Sequence, residues 1–112
     1  MPAKTVLQAK IRHISILDEH GNFDAKLGKG LIPDEDAVKL YEHMVIYRHF
    51  DEIAFKLQRS GRMGTFPENR GQEATSLGAA YALRGDDWLV PCYRENAGLF
   101  WRGLPMEYVL LH

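Results

Sequence analysis

At 112 residues with a formal net charge of −1, the chain is sized for one small domain and offers no strong field for nucleic acid or an anionic membrane. Apolar residues make up 46% and charged residues 26%, which places it among globular rather than disordered proteins. One cysteine, Cys92, excludes an internal disulfide, and no apolar run of about 18 residues could span a bilayer, so a cytoplasmic location is expected.

Residues 1–33 read as an extended N-terminal arm. Ile14 and Ile16 alternate with polar neighbours between 11 and 17, "DEHGN" at 18–22 signals a turn, and Phe23 could restart a short strand. Pro33-Asp34 opens a long helix. Asp34 suits an N-cap, and Glu35 and Asp36 place negative charge where the helix dipole favours it. Ile46, Phe50, Ile53, Ala54 and Leu57 form one expected apolar stripe, Glu52 and Lys56 an i, i+4 pair, and Gly61 the stop. The helix should run for about seven turns.

"RMGTFPENRG" at 62–71 is a loop, followed by a helix from about Gly71 to Arg84 that Gly85 ends. Ala74, Gly78 and Ala82 recur every four residues on it, a small-residue face suited to close packing. Gly78 in mid-helix costs about 1 kcal/mol relative to Ala, which suggests that proximity matters there. "DDWLVPC" at 86–92 reads as a short strand buried on both faces, with Pro91 near its end. "ENAGLFWRG" is a short helix, and another begins at Pro105. Helix, strand, helix with an apolar strand gives an α/β layer, mostly helical with one strand visible. The apolar run Tyr108-Val109-Leu110-Leu111 ends at His112 without a capping signal, so it should be poorly ordered or covered by another chain, and the sequence reads as a fragment.

Chemistry concentrates in two places. Tyr93-Arg94 lies at the exit of the expected strand, just before a helix, where α/β sheets bind ligands. Arg94 offers a donor fork suited to phosphate or carboxylate, Tyr93 a hydroxyl, and the helix start adds backbone N–H groups. The alternative is structural, with Arg94 bonded to Glu95 or a carbonyl. In the loop, Phe66 could wall an active site with Arg70 or Gln72 as polar contacts; alternatively Asn69 only caps the next helix. The five histidines show no ligand spacing, no metal-ligand set is present, and Cys92 reads as a buried small apolar residue. No glycine-rich nucleotide loop or nucleophile elbow occurs.

The ordered set of a Gly-Arg-x-Gly loop (61–64), "GQEA" (71–74), Gly-Asp-Asp (85–87), "YR" (93–94) and "RGLPMEY" (102–108) resembles the N-terminal third of E1 alpha subunits. These belong to the thiamine-diphosphate-dependent 2-oxo acid dehydrogenases of pyruvate, branched-chain and acetoin type. The resemblance covers about 34 to 112, and the first thirty residues match nothing specific. It implies the N-terminal part of a thiamine-diphosphate-binding domain over 34–112, in a heterotetramer of two alpha and two beta subunits.

By the same resemblance, Tyr93 and Arg94 contact the cofactor's diphosphate end, and Phe66 lies in the loop lining the substrate pocket. Oxidative decarboxylation of a 2-oxo acid, pyruvate favoured, would follow, with the acyl group passing to a lipoyl-bearing E2. Two departures qualify this. Pro67 stands where many pyruvate-type members carry a histidine, which keeps branched-chain substrates open. The Gly-Asp-Gly…Asn motif that holds Mg2+ and diphosphate is absent from these residues, and the carboxylate that activates the aminopyrimidine belongs to the E1 beta subunit. No catalytic residue is therefore assigned here, and the chain alone is expected to be inactive. A non-catalytic helical interaction module is the rival reading.

Overall fold

The computed structural model describes residues 3–111, which divide into one unit up to Pro33 and a second from Asp34 onward. In the first unit the Asp18 carboxylate accepts from the N–H groups of His20 and Asn22 (2.9 and 2.8 Å) and from the Asn22 side-chain amide (2.8 Å). These bonds close the expected turn. Leu17 and Phe23 then meet as one isolated antiparallel bridge rather than as strands. Asp24 caps a single helical turn, α1 (Ala25–Gly28), by accepting from Lys26 and Leu27 N–H. Residues 3–15 form no helix or strand, and none of the described residues of this unit is buried.

The second unit is built on α2 (Asp34–Arg59). Three acidic residues fill its first turn and Lys56 and Arg59 its last, both complementary to the helix dipole. Its end follows from Gly61. With φ +71° there, Gly61 N–H bonds the Gln58 carbonyl (3.1 Å) and Arg62 N–H the Leu57 carbonyl (3.0 Å), the paired bonds of a Schellman stop. The loop then leads into α3 (Glu73–Ala82), a connector, α4 (Asn96–Trp101) and α5 (Met106–Leu110). The α4 stop repeats the same device at Gly103, φ +93°, with Leu104 N–H on the Leu99 carbonyl (3.0 Å).

The core lies where α2, α3 and α4 meet. Leu40, Tyr47, Phe50 and Ala54 of α2 pack with Leu77 of α3, Ala97 and Phe100 of α4, and Phe66 of the loop. Phe50 is its centre, edge-on to Phe100 at 5.1 Å and to Phe66 at 6.2 Å between ring centroids. Met106 and Val109 of α5 are half-buried against this core, so the apolar tail gains part of its cover from its own chain, while Leu111 stays exposed. His112 lies outside the described residues.

Four expectations need correction. The α/β layer is absent: among the described residues there is no strand, and the segment 86–92 is an irregular connector in which Trp88 and Val90 are 90% and 85% exposed. The physical reason is that a strand needs a neighbour to take its N–H and C=O groups, and no other segment here supplies one. Second, Ile46 and Ile53 of the expected α2 stripe face outward, and Leu40 and Tyr47 take the buried positions. Third, Glu52 pairs with Arg70 (3.2 Å) instead of Lys56. Fourth, Ala74, Gly78 and Ala82 are exposed, with open space beside Gly78. The close approach of α3 and α4 occurs instead at Gly98, where an added Cβ would lie 2.9 Å from the Ser76 carbonyl oxygen.

Candidate functional site

A polar chain within the core fixes the loop before α3. Asp51, on the buried side of α2, accepts from Asn69 N–H (3.2 Å), and the Asn69 side-chain amide donates to Ser76 Oγ (3.2 Å). Asn69 is 1% exposed, so it serves as an internal tie rather than the helix cap considered from the sequence; Gln72 holds the cap position without a side-chain bond. Glu73 accepts from Arg48 Nε and from Gly71 N–H (3.0 Å), pinning the helix entry to α2.

These contacts set the charges in opposite directions. The Arg48 guanidinium holds the Glu73 carboxyl below the usual glutamate range against the opposing effect of burial. Burial pushes the Asp51 carboxyl up, the Asn69 N–H opposing, with the nearby Glu68 and Glu73 charges adding to the rise. Burial, then the Asp51 charge, also pushes the Tyr47 hydroxyl well above the tyrosine range; Asn96 opposes, though no hydrogen bond of good geometry joins them. Asp51 Oδ2 is likewise buried without a partner among the described residues.

The loop so held delivers Phe66 and Pro67 to one wall of a cleft of about 510 Å³. Pro91, Cys92 and Tyr93 of the connector, Asn96 and Leu99 of α4, and Tyr108 and Val109 of α5 line the same cleft. Phe66 is buried on its core side while contributing to this wall. Cys92, expected to be buried, is exposed along it. The structure thus brings Phe66 and Tyr93 to one cavity.

Arg94 takes a different direction. It lines a smaller recess of about 110 Å³ with Asn69, Ser76, Leu89 and Glu95, while its guanidinium carbon lies 5.2 Å from the Tyr93 ring centroid. Among the described residues that guanidinium has neither a carboxylate within ion-pair distance nor a hydrogen-bonded carbonyl. The side-chain pairing that a purely structural role would use, with Glu95 or a carbonyl, is not made. Arg70, the other loop cation considered, is engaged by Glu52, and Gln72 lines the smaller recess.

Glu95 Oε2 accepts from Cys92, Tyr93 and Arg94 N–H at 2.8, 3.0 and 3.1 Å, so the three main-chain donors just ahead of the α4 start already hold an anion of the chain's own. Sequence reasoning considered Glu95 only as a partner for the Arg94 side chain; an acidic residue directly ahead of a helix was the available signal. Arg102 was also missed. Its guanidinium donates to the carbonyls of Arg84, Gly85 and Asp87 (3.0, 3.1 and 2.9 Å) and thereby ties the connector to the end of α4.

An unpaired guanidinium over a tyrosine ring is a donor suited to an anionic group such as a phosphate or a carboxylate. Residues 41–112 match the family described as the dehydrogenase E1 component. The chain belongs to that family.

Named relatives of this E1 chain are pyruvate dehydrogenase E1 component alpha subunits. The protein of Staphylococcus aureus (strain Mu50) is 38% identical over 107 residues, which cover 93% of this chain and 28% of that protein. The protein of Staphylococcus epidermidis (strain RP62A) is 39% identical with the same coverage. The chain therefore spans 28% of the length of the curated relatives it matches. A 93% share cannot fit within residues 34–112, so the likeness reaches into the first thirty residues, where the sequence motifs pointed to nothing specific. Among the described residues no helix is long and apolar enough to cross a membrane, and no three His, Cys, Asp or Glu side chains gather where a metal could sit.

Proposed function

We propose that this chain supplies one edge of a thiamine-diphosphate-dependent 2-oxo acid dehydrogenase site, with pyruvate the favoured substrate. The observation that carries the reading is the convergence of Phe66 and Tyr93 on one cleft, with the free Arg94 guanidinium stacked on Tyr93, in a chain of the E1 family. The relatives' name, pyruvate dehydrogenase E1 component subunit alpha, favours pyruvate over branched-chain 2-oxo acids.

The bound cofactor would supply the thiazolium carbon at which the 2-oxo acid loses its carboxylate. The chain's own residues bind and orient. Arg94 and the Tyr93 hydroxyl hold the diphosphate end as charge-assisted and neutral donors. Phe66 and Leu99 exclude water from the apolar part of the cleft. Residues 34–112 act in this reading as the N-terminal part of the cofactor-binding domain, with 1–33 as its arm.

Mg2+ would take its ligands from outside the described residues. An E1 beta subunit would complete the site in a heterotetramer of two alpha and two beta subunits, and a lipoyl-bearing E2 would receive the acyl group. The cytoplasmic setting expected from the sequence belongs to the same proposal. The test is carbon dioxide release from pyruvate by the protein carrying this chain, assembled with its beta subunit, thiamine diphosphate and magnesium. Arg94→Ala should raise the cofactor concentration for half-saturation by about tenfold or more. Wild-type saturation in that variant, or no release from pyruvate or branched-chain 2-oxo acids, refutes the reading.

A further inference from the structure

The connector reaches α4 through three consecutive residues, Cys92, Tyr93 and Arg94, that belong to no helix or strand. Backbone outside regular structure ordinarily samples several φ/ψ wells, and two side chains meant to grip one ligand would lose their common geometry. Here a single oxygen, Glu95 Oε2, accepts from all three N–H groups at 2.8–3.1 Å. Those bonds, with the N–H groups of residues 92 and 93 as the two strongest influences besides burial, hold the Glu95 carboxyl below its ordinary range, so it is ionised wherever the protein is folded at neutral pH.

Glu95 also lines the recess that Arg94 lines, yet no ion pair within 4 Å joins the two. The carboxylate spends its acceptor on the backbone and leaves the guanidinium free. It also fills the amide cluster, which would otherwise compete with Arg94 for any anion.

We propose that Glu95 is a positioning residue: it fixes the backbone of residues 92–94 so that the Arg94 guanidinium stays unpaired beside the Tyr93 ring, available to the cofactor's diphosphate. This rests on the cofactor-binding reading of Tyr93 and Arg94. The arrangement divides the labour of anion recognition. The internal carboxylate satisfies the main-chain donors, and the incoming anion meets only side-chain donors already held in place. Cofactor binding then costs little further ordering at this turn.

The experiment uses the protein carrying this chain, assembled with its beta subunit, as wild type, Glu95→Gln, Glu95→Ala and Arg94→Ala. Glu95→Gln keeps a neutral acceptor of the same length, so it guards against simple misfolding of the alanine variant. Two readouts are taken. Amide hydrogen exchange without cofactor should show Cys92–Arg94 losing protection by about tenfold in Glu95→Gln and more in Glu95→Ala, with the core amides unchanged. Thiamine diphosphate affinity, followed by tryptophan fluorescence quenching with magnesium, should fall in the same order by about tenfold or more, while kcat at saturating cofactor stays within about twofold.

Equal affinity in wild type and Glu95→Ala despite lost amide protection overturns the proposal. Tighter binding in Glu95→Ala overturns it as well, because the freed amides would then be the better anion site. If Arg94→Ala binds the cofactor as wild type does, the reading of the site itself has failed, a result separable from a failure confined to the Glu95 variants.

Discussion

Two alanine substitutions at helical glycines should move stability in opposite directions. Gly78 and Gly98 both lie in helices with no positive φ, so each gains helix propensity on becoming alanine, up to about 1 kcal/mol in a helix interior and less near the start of α4. Nothing approaches a Cβ added at Gly78 within 4 Å, so Gly78→Ala collects that gain without cost. At Gly98 the same atom would sit 2.9 Å from the Ser76 backbone oxygen and 3.2 Å from Ala80 Cβ.

The Ser76 oxygen belongs to the α3 backbone and has no soft rotamer to give way, so α3 and α4 must separate. Overpacking of this kind costs roughly 1–3 kcal/mol, which exceeds the propensity gain. The expected result is Gly78→Ala more stable by about 0.5–1 kcal/mol and Gly98→Ala less stable by roughly 1–2 kcal/mol. Urea melts followed by circular dichroism at 222 nm would read both as midpoint shifts at unchanged slope. A Gly98→Ala midpoint equal to or above wild type would refute the packing of α4 on α3 as described. A lower midpoint for Gly78→Ala would mean that its open side is covered in solution.

The two buried carboxylates give the acid limb of stability a mixed sign. Glu73, lowered by Arg48, contributes stability that is present above the ordinary glutamate value of 4.5 and lost as pH falls through its lower folded value. Asp51, raised by burial, works the other way: it penalises the folded state above its folded value, and that penalty is relieved as pH falls toward its ordinary 3.8. Glu73→Gln should therefore flatten the loss of stability below pH 4.5, and Asp51→Asn should steepen it; urea midpoints from pH 3 to 7 check both, and the reverse order would contradict the assigned causes. Arg102→Ala removes three donors from the 84–87 carbonyls at an exposed site and should cost about 1 kcal/mol. Hydrogen exchange should quicken around Asp87 without a change at Phe50.

Chain-local signals located α2 and its stop because dipole-matched charges and Gly61 act within a few residues of each other. Which face of α2 is buried was less legible. Val38, Tyr41, Val45, Ile46, Ile53 and Phe55 surround the helix with exposed apolar groups, and only the positions of α3 and α4 select Leu40, Tyr47, Phe50 and Ala54. The small-residue repeat on α3 misled for the same reason. Periodicity identifies a face, but the partner backbone arrives beside Ser76 and Ala80. The "DDWLVPC" run has strand-like composition, yet strand formation is a property of two segments, and composition reports only one.

At the site, Tyr93, Arg94 and Phe66 were singled out in the sequence by residue type and order. That Phe66 and Tyr93 share a cleft which Arg94 does not line depends on how the chain turns at Glu95, and no spacing rule carries that information. The Asp51–Asn69–Ser76 tie was hidden because its members are polar residues that the alphabet of apolar patterns places at the surface.

Phe66 joins two roles that protein engineering usually wants separate. One side of its ring lies in the aromatic core against Phe50, and the residue also walls the cleft. If the proposed function holds, any attempt to widen substrate range by trimming this residue would draw on the same stability reserve that keeps α2 and the loop together, and selection at position 66 would be filtered first by expression yield. Met63 and Leu104 line the same cleft while only half-buried. Variation accumulates more cheaply there, and libraries built on those two positions should retain a larger folded fraction.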